Sequence, residues 1–278
     1  MRVPTMLERL FPDLYDEYLM GSNMRRMTQR IPSTQTQKAK TCTAQSPKKS
    51  TPDVVIDLPK LSDLPSDHPA VSYARKRKLP AKYYHDLYYA EQFKKWSNSI
   101  VPNTFSSEGL KFDDARIVIP FRDKDGRLFA FQGRALEKSR IKYLTVKIDQ
   151  DKQKIYGLNY LNGVTRNVRV VEGPIDSLFL DRCVGTADSS LDTIAELFDD
   201  PVFIWDNEPR SPQIVKKMEK AIENGHSVVV WKKSNEFNDI NDAVENYGFD
   251  IEQINELVDK RTFKGMMALL ELNNWRKV

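Results

Sequence analysis

Three apolar stretches, each leading to acids, constrain this chain more than any other feature. Val168-Arg169-Val170-Val171 runs into Glu172-Gly173-Pro174-Ile175-Asp176. Pro201-Val202-Phe203-Ile204-Trp205 runs into Asp206-Asn207-Glu208, and Ser227-Val228-Val229-Val230-Trp231 leads through a polar loop to Asp239-Ile240-Asn241-Asp242. Val-rich runs suit strands buried on both faces of a parallel sheet. Open α/β sheets place their chemistry beyond the carboxyl ends of such strands. Pro174 fits a helix start, because its missing N–H has no partner to lose. Ile175, Leu178, Phe179 and Cys183 then recur at helical spacing, which predicts a helix over 175–183 with Cys183 on its apolar face. Strand ends meet water, so acids gather at any one of them for bland reasons. Three in succession on one sheet edge repel one another, and a divalent cation relieves that repulsion.

A chain of 278 residues is long enough to bury one large core or two smaller ones. Its 43 basic and 39 acidic residues leave a net charge of only +4, so distribution matters more than the total. Seven Lys or Arg and no acid lie between residues 24 and 52, whereas the acids cluster in the second half. A basic region beside an acidic edge suits a nucleic-acid enzyme. Two cysteines, Cys42 and Cys183, make neither a disulfide framework nor a zinc ribbon. No apolar stretch is long enough to span a membrane, and the acids near the N-terminus are unlike a signal peptide. A cytoplasmic protein is expected.

Leu7, Leu10, Leu14 and Tyr18 predict an amphipathic helix within residues 1–27. Residues 28–60 lose that periodicity and read as a flexible basic linker. His68-Pro69 opens a short basic helix, and Tyr83, Tyr84, Leu87, Tyr88, Tyr89, Phe93 and Trp96 follow at helical spacing. Those aromatics read as the core of a small subdomain in preference to a base-stacking surface. His68 and His85 have no partners at ligand spacing. Residues 116–136 form a hairpin, with Asp123-Lys124-Asp125-Gly126 as its turn and Arg122, Arg127, Arg134, Arg140 and Lys142 clustered along it. Such a run is commonly a solvated face; beside an acidic edge it suits phosphate binding, with Gly133 allowing close approach. Residues 251–272 carry helical spacing throughout, and the tail with Trp275 reads as a cap on the domain in preference to a contact for a partner protein.

Glu172-Gly173-x-x-Asp176 after one apolar strand and Asp206-x-Glu208 after the next resemble the Toprim domain of bacterial-type primases, topoisomerases and related nucleases. Ile119-Pro120-Phe121-Arg122, Phe131-Gln132-Gly133-Arg134, Lys142-Tyr143-Leu144 and Tyr156-Gly157-Leu158 resemble, in order, the basic subdomain that precedes it in primases. With Asp67-His68-Pro69-Ala70 and Tyr73-x-x-x-Arg77, the set covers roughly 61–248 and is most similar to the primase subunits of T-even-like tailed phages. The resemblance implies an α/β fold: a Rossmann-like Toprim domain over 166–248 and a mixed α+β basic subdomain over 61–165, followed by a helical segment over 249–278. It implies template-directed synthesis of short RNA primers on single-stranded DNA from ribonucleoside triphosphates. Glu172 and Asp206 would be catalytic, and Glu172, Asp206, Glu208, Asp239 and Asp242 would hold Mg2+ or Mn2+. Glu208 departs from the family's Asp-x-Asp. Arg122, Arg127, Gly133, Arg134, Lys142 and Asp176 would bind nucleic acid or nucleotide.

The family's zinc ribbon needs four ligands, and only Cys42 lies in the matching region, so no zinc is expected in this chain. A hexameric replicative helicase and a single-strand-binding protein are the implied partners; no membrane is. Two other functions stay open on the sequence. One is a Toprim nuclease, which leaves the basic hairpin without a role. The other is a nucleic-acid-binding replication subunit with a degenerate acidic site.

Overall fold

The computed structural model describes residues 54–137, 139, 141–187 and 191–278. The helix expected within 1–27, Cys42, most of the 28–60 segment and Arg140 lie outside the described residues. The last part of that segment is no free linker: Ile56 and Leu58 pack on an aromatic cluster, and Asp57 accepts a hydrogen bond from Trp96 Nε1 at 3.0 Å.

The first sheet is antiparallel, in the order β1 (Tyr88–Ala90), β2 (Arg116–Arg122), β3 (Leu128–Ala135), β4 (Tyr143–Lys147). Alternation along β2 sends Ile117, Ile119 and Phe121 into the main core, and Val118 to the other face with Phe93, Trp96 and Phe131. The β2–β3 turn uses Gly126 at φ 81°, while Asp123 Oδ1 accepts from the backbone N–H groups of Asp125 and Arg127, both at 3.0 Å. Three helices accompany this sheet: α1 (Pro69–Lys76), α2 (Phe93–Ile100) and α3 (Ser107–Leu110). The expected aromatic helix is therefore corrected. Residues 81–86 form a 3-10 turn, Tyr88 and Tyr89 join a strand, and only Phe93 and Trp96 are α-helical. Their role as core holds.

The second sheet runs β6 (Cys183–Gly185), β5 (Arg169–Val171), β7 (Val202–Phe203), β8 (Ser227–Val229), β9 (Thr262–Lys264). The first four strands are parallel and β9 is antiparallel. Its helices are α4 (Pro174–Ser177), α5 (Leu191–Leu197), α6 (Pro212–Glu223), α7 (Ile240–Tyr247), α8 (Ile251–Lys260) and α9 (Gly265–Trp275). Two expectations fail here. The helix after Glu172 lasts one turn, a left-handed Arg182 (φ 47°) reverses the chain, and Cys183 begins a strand. Cys183 is still core, 6% exposed. The single helix over 251–272 is interrupted by β9, whose Phe263 pairs with Val228 before Gly265, at φ 58°, starts α9. The C-terminal segment thus completes the sheet, and the boundary at 248 cuts through one folding unit. No helix among the described residues is long and apolar enough to cross a membrane.

Candidate active site

Because β5, β7 and β8 are parallel neighbours, the residues that follow them come out at one edge. Glu172 follows Val171 directly and Asp206 follows Trp205. The Trp231 indole donates to the Trp205 carbonyl at 2.8 Å, locking the ends of the second and third runs together. The turn after Glu172 is tight. A Cβ on Gly173 would stand 2.6 Å from Asp176 Oδ2, and one on Gly185 of β6 would meet Pro174 Cα at 2.7 Å. Gly185 is required by this close approach of backbone and not by an unusual dihedral, whereas a side chain at Gly173 would displace the Asp176 carboxylate.

The carboxylates feel one another. Burial first, then the charges of Glu172, Asp239 and Glu208, push Asp206 up to about 7. Burial, then Asp239, also raises Asp176, whose Oδ1 accepts from the Asn241 backbone at 3.0 Å. Asp239 caps α7 through the Asp242 N–H at 2.6 Å. Lys217, on α6, donates to Glu172 Oε1 at 2.5 Å. Asp242 stands apart. Burial pushes its carboxyl upward, but hydrogen bonds from the Asn246 and Asn238 side chains and the Asn238 backbone hold it below its ordinary range. It shapes its own loop and is not brought into the cluster.

Hard oxygen donors of this kind fit a divalent ion such as Mg2+, and burial together with the neighbouring acids raises the Asp206 and Asp176 carboxyls. Among the described residues, however, no three His, Cys, Asp or Glu side chains form a ready metal cage. Glu208 is exposed beside Asn207, whose side chain has a structural task. Asn207 Nδ2 donates to the carbonyls of Asn235 and Phe237 at 3.0 and 2.8 Å, and its Oδ1 accepts from Trp275 Nε1 at 2.9 Å. The residue between the two acids therefore anchors the loop after β8 and the C-terminal helix.

The basic side meets this edge through α1. Arg134 Nε donates to the Tyr73 hydroxyl at 2.7 Å, with its guanidinium 4.5 Å from the Tyr143 ring centroid. Arg77 pairs with Glu245 of α7 at 3.2 Å and reaches the same hydroxyl at 3.3 Å. Tyr73, Lys76, Arg77, Arg134 and Glu245 line an open cavity of about 470 Å³. Lys142 and Arg127 are exposed to solvent.

Three members of the expected nucleic-acid set are placed otherwise. Arg122 is a strut, pairing with Asp86 at 3.3 Å and the Tyr88 hydroxyl at 3.4 Å. Gly133 is buried under the Phe93 ring, where a Cβ would lie 2.5 Å from Cε2; it makes room for a core aromatic and not for a phosphate. Asp176 sits among the acids. The sequence marks Tyr73-x-x-x-Arg77 only as part of the family resemblance, with no role at the site, and does not single out Asn207 or Lys217. The i,i+4 spacing of Tyr73 and Arg77 marks one helix face, but nothing in the linear sequence separates Lys217 from its neighbours Lys216 and Lys220.

This architecture, a parallel acid-edged sheet preceded by an antiparallel basic one, is of the Toprim α/β class found in primase catalytic cores. The E. coli primase catalytic core shares it with a TM-score of 0.54 at 18% identity, over 76% of this chain and 78% of that one. A DnaG primase catalytic domain bound to ssDNA gives 0.55 at 17% identity, over 74% and 75%. No family model matches the chain. The DNA primase of Enterobacteria phage T4 is 34% identical over 278 residues, covering 98% of this chain and 78% of that protein. The chain belongs to this phage DNA primase family: it is a nucleotidyltransferase that makes RNA primers in DNA replication, dependent in general on divalent metal.

Proposed function

We propose that primer synthesis takes place between the acid edge and the Tyr73–Arg134 cavity, on single-stranded DNA and with ribonucleoside triphosphates. The observation that carries this is geometric: parallel strands bring Glu172 and Asp206 out at one sheet edge, and Arg134 and Arg77, both bonded to the Tyr73 hydroxyl, line a cavity on the basic side. Glu172, Asp206 and Asp239 would hold Mg2+, with Glu208 as an outer contributor. The bound metal supplies charge neutralisation of the triphosphate and activation of the 3′ hydroxyl.

The chain's own residues do the rest. Arg134 and Arg77 bind phosphates as flat, charge-assisted donors pre-positioned by the Tyr73 hydroxyl. Glu172 Oε1 accepts the proton of the attacking hydroxyl once Lys217 has swung aside. Lys142 and Arg127 add phosphate contacts from the exposed rim. Zinc has no role in this reading. A hexameric helicase and a single-strand-binding protein in the host cytoplasm are its working context, and residues 61–165 and 166–248, the latter extended through β9 and α9, are its two working parts.

The test is synthesis on single-stranded DNA with labelled ribonucleotides and Mg2+. The reading expects short, metal-dependent RNA that Arg134→Ala diminishes together with DNA binding. Undiminished synthesis by that variant would overturn the placement.

A further inference from the structure

A second cationic cavity adjoins the acids at Glu208 and shares no residue with the Tyr73–Arg134 cavity. It encloses about 740 Å³ and is lined by Arg210, Lys232, Lys233 and Lys277, with Glu208 and Glu236 as its only carboxylates. These four cations come from three separate segments: the loop after β7, the loop after β8 and the tail beyond α9. Elsewhere on this domain several cations are paired with acids. Lys217 pairs with Glu172, Lys260 with Glu256, Lys264 with Asp200 and Arg276 with Glu219. Among the described residues none of the four lining cations has such a partner, and all are exposed.

Their backbones are held in place. The Lys232 N–H donates to Asn235 Oδ1 at 2.9 Å, and the Asn235 N–H donates to the Lys232 carbonyl at 2.9 Å, closing the turn that presents Lys232 and Lys233. Asn207 then ties that loop to its own and, through Trp275, to the C-terminal helix. The Lys277 N–H donates to the Pro209 carbonyl at 2.8 Å. One asparagine, between Asp206 and Glu208, thus fixes the spacing of the cations relative to the acids. Four unpaired cations gathered around one hollow, with two carboxylates to offset only part of their charge, make it attractive to an anion.

We propose that this cavity is a second phosphate-binding site, which receives phosphate groups beside Glu208 at the acid edge. Phosphate would come either from the backbone of a nucleic-acid strand crossing the edge or from the polyphosphate of a nucleotide. The crossing strand fits better, because the cations of both cavities would then grip one chain passing over the carboxylates. The proposal rests on the acid edge being the reacting centre.

The test compares Lys232→Ala/Lys233→Ala with Lys232→Arg/Lys233→Arg and the unaltered protein. Binding of a fluorescein-labelled single-stranded DNA is followed by anisotropy across a salt series, and binding of ATP in EDTA by calorimetry. Every phosphate that a side chain no longer neutralises on a single strand lowers the salt slope by roughly 0.7, so the alanine pair should lower it by about 1.4, and the arginine pair should restore it. A lowered slope with ATP binding unchanged establishes the strand. Weakened ATP binding with the slope retained establishes the nucleotide instead. No change in either overturns the site. Glu172→Gln, run in parallel, reports on the reacting centre separately: it should lose synthesis and keep the slope.

Discussion

Replacing a catalytic carboxylate here should stabilise the protein. Asp206 carries a folded-state value of about 7 against an ordinary 3.8, so its ionised form is disfavoured by folding. Between these two values the folded chain binds a proton that the unfolded chain has released. Stability from this group is therefore greatest toward acid and falls as pH rises to about 7, above which the whole cost is present. The interval corresponds to at most about 4 kcal/mol. Water at this partly exposed carboxylate, and the sharing of charge with Glu172 and Asp239, reduce it to about 1–2 kcal/mol. Asp206→Asn removes the charge and should raise the metal-free Tm at about pH 7.5 by about 2–8 °C. The gain should shrink steadily as pH falls and vanish only below about pH 3.8, where the carboxyl is protonated in either state. Mg2+ should raise the Tm of the unaltered protein and leave that of the variant nearly unmoved. Melting followed by circular dichroism over pH, with EDTA or Mg2+, reads all of this. A variant less stable at neutral pH, or a difference independent of pH, would refute the argument from carboxylate repulsion.

Gly185→Ala forces a Cβ against the backbone of Pro174 and Gly173, at 2.7 to 3.0 Å. It should cost about 1–3 kcal/mol in denaturant melts and displace Glu172 enough to lower synthesis further than the stability loss explains. Asn207→Ala leaves the Trp275 indole and two loop carbonyls without their bonds. It should cost about 2–4 kcal/mol and reduce synthesis although neither neighbouring acid has changed. Lys217→Met frees Glu172 of its present partner, and direct titration with Mn2+ should show tighter metal binding than in the unaltered chain.

What was legible in the sequence followed from burial. The Val-rich runs before Glu172, Asp206 and the Asp239 loop had to be interior strands, and their parallel pairing fixed where the acids would meet. The errors came from short elements. A one-turn helix and a three-residue strand share the apolar spacing of Ile175, Leu178, Phe179 and Cys183 with a longer helix, and only the left-handed Arg182 separates them. Phe263 fits helical spacing equally well, yet it pairs with Val228 because β8 offers it an open edge. The site's acids are legible because strands deliver them. Lys217 and Asn207 are not, because their roles exist only across distances of tens of residues, in contacts with Glu172, Asn235, Phe237 and Trp275. Gly133 is misleading because a glycine before an arginine has the same appearance whether it admits a phosphate or the Phe93 ring.

The most direct measurement of the central claim is single-turnover extension by Glu172→Gln and Asp206→Asn, with single-stranded DNA binding measured on the same preparations. The account predicts that both variants stay folded, bind DNA within about twofold of the unaltered protein, because one distant charge changes phosphate contacts little, and add no ribonucleotide. Extension at the ordinary rate by either variant would contradict the assignment of the reaction to this edge.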